Sequence, residues 1–366
     1  MLDESVYKKR IDRVQKHIEN SSADFAFLIP APSFQYLAGF RYQMQERLLA
    51  LVIRKDDEPT IVSPAFEVSG HSAHTWIKDF LPWAEDENPY TKVTELVGTN
   101  KVVLLDDSIP LGVYWSLEKA MGGFKDSASI TPLIDQMRIS KSETEIDLMK
   151  KAGHIIDRAV SKAFVEAQLG MTEVDVKQIV QSEIRRQGAS PTFAAVQFGE
   201  NSALPHADAG SRELKNRDVI LMDCGCSLEG YNTDMTRVGV VGEPTEEIRQ
   251  VHSTVLLAVE TAIENIRAGM ACGAGDGVAR RVIDDAGYGE YFTHRLGHGI
   301  GLEVHEPPYV VRGSSETLQT GMCHSIEPGI YLEGKFGIRI EDVVCIREDG
   351  PELLTFTSRD LIQLDL

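Results

Sequence analysis

The chain is expected to fold as two domains: an α/β domain over residues 1–132, then a larger α+β domain over 133–366 built from a duplicated helix–helix–hairpin unit. Three observations predict this. At 366 residues the chain is longer than one average domain. Short apolar strands alternating with helical stretches give way, at residues 137–170, to longer amphipathic helices. The later part then repeats its own spacing.

In the first domain, residues 4–20 carry a helical pattern and DFAFLI (24–29) reads as a buried strand. SFQYLAGF (33–40) reads as an aromatic-rich turn. RLLALVIRKDDEPTIVS (47–63) reads as a hairpin, with a charged turn between two apolar runs. KVVLLDD (101–107) is a further strand, and the alternation implies an α/β layer. His71 and His74 lie three residues apart without an acidic companion in the pattern, and read as the polar face of a helix.

The second domain opens on Ser142 and Glu145, a capping box. Ile146, Met149, Gly153, Ile156, Val160, Ala163 and Ala167 then recur at helical spacing up to Gly170. Thr172 caps a second helix that ends at Gly188. Residues 213–241 read as two strands around a turn, helices follow near 245–268 and 276–287, and 317–346 again reads as paired strands. Leu214 precedes Asp223 by nine residues and Leu228-Glu229-Gly230 begins five later. Leu318 precedes Glu327 by nine, and Leu332-Glu333-Gly334 begins five later. Equal spacing in the same element order points to an internal duplication. It pairs Asp223 with Glu327 and, more loosely, Asp234 with Glu341.

Composition narrows the function. With 42% hydrophobic and 25% charged residues the chain has the make-up of a globular protein, and no apolar run nears the ~18 residues of a membrane span. Its first twenty residues are charged throughout, so a cytoplasmic protein is expected. A net charge of −19 disfavours nucleic acid as a partner. The five cysteines, Cys224, Cys226, Cys272, Cys323 and Cys345, form no C-x-x-C and are expected to be reduced, buried thiols.

The chemistry concentrates in DCGCSLEGYNTDMTR (223–237), HRLGHGIGLEVHE (294–306), SIEPGIYLEG (325–334) and GIRIEDV (337–343). Taken singly, Asp223 and Glu327 read as turn residues. Asp234 and Glu341 sit in apolar strand patterns, where a carboxylate costs several kcal/mol unless paired or metal-bound. His294 and His298 are four apart, but Gly297, Gly299 and Gly301 argue against a zinc-binding helix and for a loop or strand. On a regular strand, His298 and His305, seven apart, would face opposite ways. One histidine with four carboxylates is an oxygen-rich set suited to two divalent ions, Mn(II), Co(II), Fe(II) or Zn(II), that activate a water for hydrolysis, the leftover histidines stabilising the oxyanion.

These strings resemble the pita-bread metallopeptidases, the family of prolidase, aminopeptidase P and creatinase, and QYLAGF (35–40) resembles their N-terminal domain. The resemblance spans essentially the whole chain. It implies that Asp223, Asp234, His298, Glu327 and Glu341 are metal ligands, with Asp234 bridging and Glu327 also acting as general base and proton donor. It further implies that His206 binds substrate, and that His294 and His305 contact the substrate carbonyl. Manganese, a homodimer, and a peptide substrate with proline after the scissile bond follow in the same way. All five ligand positions are filled, which counts against creatinase, and chain length favours an Xaa-Pro dipeptidase over an Xaa-Pro aminopeptidase. A dipeptidase needs a cation for the proline carboxylate, for which Arg312 and Arg295 are the candidates. A non-peptidase enzyme acting on a small metabolite and a non-catalytic binding protein are the competing readings. The Cys323-His324 pair departs from the apolar residues commoner in the family.

Overall fold

A computed structural model describes residues 2–205 and 207–366, and the chain divides into two compact units, Met1–Arg138 and Ile139–Leu366. In the first, α1 (Glu4–Glu19) is capped by Asp3 and buries Tyr7, Ile11, Val14 and Ile18, one stripe at helical spacing. Around it run β1 (Phe25–Leu28), α2 (Pro32–Ala38), β2 (Ala50–Arg54), β3 (Thr60–Pro64), α3 (Val68–Ser72), β4 (Asp79–Trp83), α4 (Pro89–Val97), β5 (Val102–Leu105), α5 (Leu111–Ala120), β6 (Asp126–Ser129) and α6 (Thr131–Arg138). The strands form one mixed sheet in the order β4-β3-β2-β1-β5-β6, and β2–β3 is the expected hairpin.

Three expectations change here. Residues 33–40 fall mostly in helix α2, because Pro32 starts a turn and Gly39, at φ 68°, terminates it. His71 is not on a solvated face. It is buried, with Nδ1 2.9 Å from Ser63 Oγ and its ring against Phe40 and Tyr42. The division expected after residue 132 falls after Arg138, since α6 buries Ile134 and Met137, and the Tyr36 hydroxyl donates to Met137 O.

The second unit comprises α7 (Glu143–Glu166), α8 (Glu173–Arg186), β7 (Ser190–Phe198), β8 (Val219–Leu228), β9 (Tyr231–Val241), α9 (Glu246–Asn265), α10 (Cys272–Asp285), β10 (Gly297–Gly299), β11 (Glu306–Val310), β12 (Cys323–Ile326), β13 (Gly329–Leu332), β14 (Phe336–Arg339), β15 (Asp342–Ile346), β16 (Pro351–Leu353) and β17 (Ile362–Leu364). Capping boxes at Ser142/Glu145 and Thr172/Asp175 start α7 and α8. These helices lay Ile156, Val160, Val176 and Val180 on the sheet β17-β9-β8-β7, against Ile220, Met222 and Cys224. Helices α9 and α10 pack likewise, Val255, Val259 and Ala279 meeting Ile326, Ile338 and Val344. All five cysteines are buried and unpaired.

The duplication is visible in hydrogen bonds. Gly170 N donates to Leu214 O and Leu214 N to Met171 O. In the later copy Gly269 N donates to Leu318 O and Leu318 N to Met270 O. The isolated bridges Thr172↔Glu213 and Ala271↔Thr317 follow the same logic. The equal spacing therefore marks one helix–strand anchor used twice. Strands β11-β10-β12-β15-β16 form a second sheet and β13-β14 a ribbon, and an isolated bridge, Thr236↔Glu341, joins β9 of the first sheet to the residue that precedes β15 of the second.

Candidate metal centre

A cavity of about 590 Å³ opens at this junction, lined by side chains from strands and from residues beside strand ends. From β8 comes Asp223 and from β9 Asp234. From β10 comes His298; Glu327 follows β12 and Glu341 precedes β15. Asp234, His298 and Glu341 bring one ligand atom each to within 4.8 Å of one another, all three buried. His298 Nε2 lies 3.9 Å from Asp234 Oδ2 and 3.3 Å from Glu327 Oε1.

The ring orientation of His298 follows from its neighbours. Nδ1 lies 3.1 Å from Gly299 O, an acceptor, so Nδ1 carries the hydrogen and Nε2 presents its lone pair to the acids. Gly297 is required here because β10 runs close against β12: a Cβ at that position would sit 1.9 Å from Ser325 O. Ser325 Oγ accepts from His298 N at 3.0 Å and donates to Glu327 Oε1 at 3.1 Å, tying the two candidate ligands together.

Arg339, at the end of β14, organises the rest. Its Nη2 donates to Asp223 Oδ2 at 2.6 Å, its Nη1 to Tyr331 OH at 2.8 Å and its Nε to Thr236 Oγ1 at 3.0 Å. Thr236 Oγ1 in turn donates to Glu341 Oε2 at 2.7 Å. His294 Nδ1 faces Arg295 O and its Nε2 is 2.8 Å from Tyr331 OH, so the phenol donates to His294 while accepting from Arg339. Sequence reasoning passed over Arg339 and Tyr331. The available signal was proximity: Arg339 stands two residues before Glu341.

Burial and mutual repulsion push these acids up. Burial, then the neighbouring Glu341, Asp223 and Glu327, hold Asp234 well above the ordinary carboxylate range. Burial, then Glu327 and Asp223, do the same to Glu341, and burial raises Glu327 to about 7. His298 is pushed down to about 3, first by burial and then by His305, so its ring is neutral at physiological pH. Asp223 Oδ1, Asp234 Oδ1 and Glu341 Oε1 are buried and accept no hydrogen bond from a described residue. Buried acceptors are rarely left this way. With the His298 lone pair they make an N/O donor set that a divalent cation satisfies in both charge and coordination.

The remaining expected residues divide. His305 and His298 do not face apart: their rings meet edge to face at 4.1 Å, because the chain turns between β10 and β11 instead of continuing as one strand. Arg295 lines the cavity, its guanidinium 4.5 Å from the Tyr309 ring centroid. Arg312 does not line it. It is exposed in the turn beyond β11, where Gly313 at φ 83° reverses the chain. His206 lies outside the described residues.

Comparison with known proteins places this geometry. Residues 147–348 match the metallopeptidase family M24, and residues 10–140 match the creatinase/prolidase N-terminal domain. The chain is 33% identical over 359 residues to an Xaa-Pro dipeptidase of Lactobacillus delbrueckii subsp. lactis, covering 96% of this chain and 98% of that protein. Its fold is similar to the crystal structure of a recombinant prolidase from Thermococcus sibiricus, with a TM-score of 0.91, 35% identity and full coverage of both chains. It is also similar to an X-Pro aminopeptidase from Thermotoga maritima, with a TM-score of 0.86, 31% identity, and coverage of 95% of this chain and 100% of that one.

Proposed function

The chain belongs to metallopeptidase family M24, and from that premise we propose that it hydrolyses the bond before proline, as an Xaa-Pro dipeptidase. The observation that carries this reading is the convergence of Asp234, His298 and Glu341, with three orphaned carboxylate oxygens, on the wall of a peptide-sized cavity. Membership of the family implies divalent metal ions. We propose that Asp223, Asp234, His298, Glu327 and Glu341 would hold two ions per chain, and manganese suits the oxygen-rich donor set.

When bound, divalent ions would supply an acidified water and polarisation of the scissile carbonyl. The chain does the rest. Glu327, beside the proposed ions, is assigned to take a proton from the attacking water and return it to the proline nitrogen. His305 is assigned as hydrogen-bond donor to the carbonyl oxygen as it becomes negative. His294, expected to contact the substrate carbonyl, has both ring nitrogens engaged, and is assigned instead to act through Tyr331 to set Arg339, which in turn aligns Asp223. His206 is assigned to substrate contact on the resemblance alone. Arg295, stacked on Tyr309, is the cation assigned to the proline carboxylate. The proposed working form is a cytoplasmic homodimer, supported by the family resemblance. No helix among the described residues is long and apolar enough to cross a membrane, and the net charge of −19 argues against nucleic acid as a partner.

The test is a manganese-reconstituted assay that compares Xaa-Pro with Xaa-Pro-Yaa. Metal-dependent cleavage of the dipeptide, with at least tenfold lower kcat/KM on the tripeptide, is expected. The reverse preference would make the protein an Xaa-Pro aminopeptidase, the activity named for its Thermotoga maritima neighbour.

A further inference from the structure

We propose that the buried ion pair Arg237–Asp342 is a positioning device that holds Asp234 and Glu341 at the separation a shared metal ion requires. The inference rests on the reading of those two acids as ligands. Strand alternation puts Asp234 and Thr236 on the cavity side of β9 and sends Arg237 through to the other side. Glu341 and Asp342 divide in the same way. The pair is therefore separated from the cavity by the backbone of both strands, and touches no substrate.

The backbone junction it spans is slight. Among the described residues it is an isolated bridge, with Glu341 N donating to Thr236 O at 3.2 Å. Arg237 supplies what a longer ladder would. Its Nη1 donates to Thr236 O at 2.9 Å and to Glu341 O at 2.6 Å, clamping the carbonyls of the two facing residues from behind. Its Nη2 donates to Asp342 Oδ1 and to Thr357 O, both at 2.6 Å, and its Nε to Thr357 O at 3.1 Å. All five guanidinium hydrogens have an acceptor. Asp342 is equally committed: Thr355 Oγ1 donates to Oδ1 at 2.8 Å and Arg359 Nε to Oδ2.

The clamp is itself anchored in the earlier copy of the repeat. Asp157 of α7 accepts from Phe356 N, Thr357 N and Thr357 Oγ1. Beside it Gly153 leaves room for Leu354 O, which would sit 1.8 Å from a Cβ. Helix α7 therefore grips the 354–357 segment, that segment grips Arg237, and Arg237 fixes the register between the two sheets. A wholly buried ion pair is a poor device for stability, since well-packed apolar residues of like volume do as well or better; its attested use is to specify register. Arg237 and Asp342 are 1% and 0% exposed, and they sit where the register sets the distance between two candidate ligands.

The experiment is calorimetric titration of metal-stripped protein with Mn(II), comparing wild type with the double variant Arg237→Met/Asp342→Leu, and with melting temperatures of the stripped forms alongside. The double variant is expected to melt within a few degrees of wild type and to bind one ion at least tenfold more weakly. It should also lose kcat with little change in KM. Arg237→Lys keeps the charge beside Asp342 but cannot span both carbonyls, so it is expected to weaken the same ion. That result decides the matter if the double variant does not fold. Wild-type affinity for both ions in a folded double variant, or in Arg237→Lys, overturns the positioning role and leaves the ligand assignment standing. A wild-type protein that binds no Mn(II) overturns the ligand assignment and this inference with it.

Discussion

Arg339 ties together polar groups at and behind the cavity wall: Asp223, Tyr331 and Thr236 directly, His294 and Glu341 one bond further out. Asp234 and Glu341 stand out in the sequence, because a carboxylate inside an apolar strand pattern demands a partner, whereas Asp223 and Glu327 taken singly read as turn residues. Arg339 does not stand out, since an arginine beside acids most often marks a solvated pair. Asp234→Asn and His298→Ala are each expected to abolish metal-dependent dipeptide hydrolysis, a loss of at least a thousandfold, with the circular dichroism of the fold retained. Normal turnover by either would remove the metal-ligand reading. Glu327 carries a pH signature. Burial raises it from 4.5 to about 7, so between those values the native metal-free protein holds a proton that the unfolded chain releases. Stability from this group therefore falls as pH rises through that window. Glu327→Gln removes the loss. The melting temperature of the stripped variant, relative to stripped wild type, should climb between about pH 4.5 and 7 and level off above. A difference that does not vary with pH would contradict the shifted acid.

Elements, more than single residues, decide whether those groups meet. The capping boxes, the β2–β3 hairpin and the repeated helix–helix–hairpin order could all be read from spacing, because each rests on local chemistry. The relation of His298 to His305 could not. Parity holds along one regular strand, and the chain instead turns between β10 and β11 to set the two rings 4.1 Å apart. The same close packing yields a prediction at Gly297, where a Cβ would fall 1.9 Å from Ser325 O. Gly297→Ala must push β10 away from β12. A cost of about 1–3 kcal/mol or more is expected from such overpacking, read as a lower urea midpoint in the stripped protein. Metal binding should weaken too, because Ser325 would lose its hold on His298 N.

At the scale of the molecule, the site is a seam. The later copy of the repeat supplies His298, Glu327 and Glu341, the earlier one Asp223 and Asp234, and their backbones meet where Glu341 N donates to Thr236 O and where Asn232 N donates to Gly301 O. The duplication was visible in the sequence, as was the pairing of acids it implies. What spacing could not convey is that the matching acids would face one cavity, which depends on how two sheets meet and on buried charge behind the junction. This seam should work only when loaded with metal. The most direct measurement is the hydrolysis rate of an Xaa-Pro dipeptide by chelator-stripped protein as Mn(II) is returned, with bound metal counted on the same samples. No turnover is expected in the stripped protein, with full recovery as about two ions bind per chain. Undiminished turnover in the stripped protein, with chelator still present, would contradict the metal requirement.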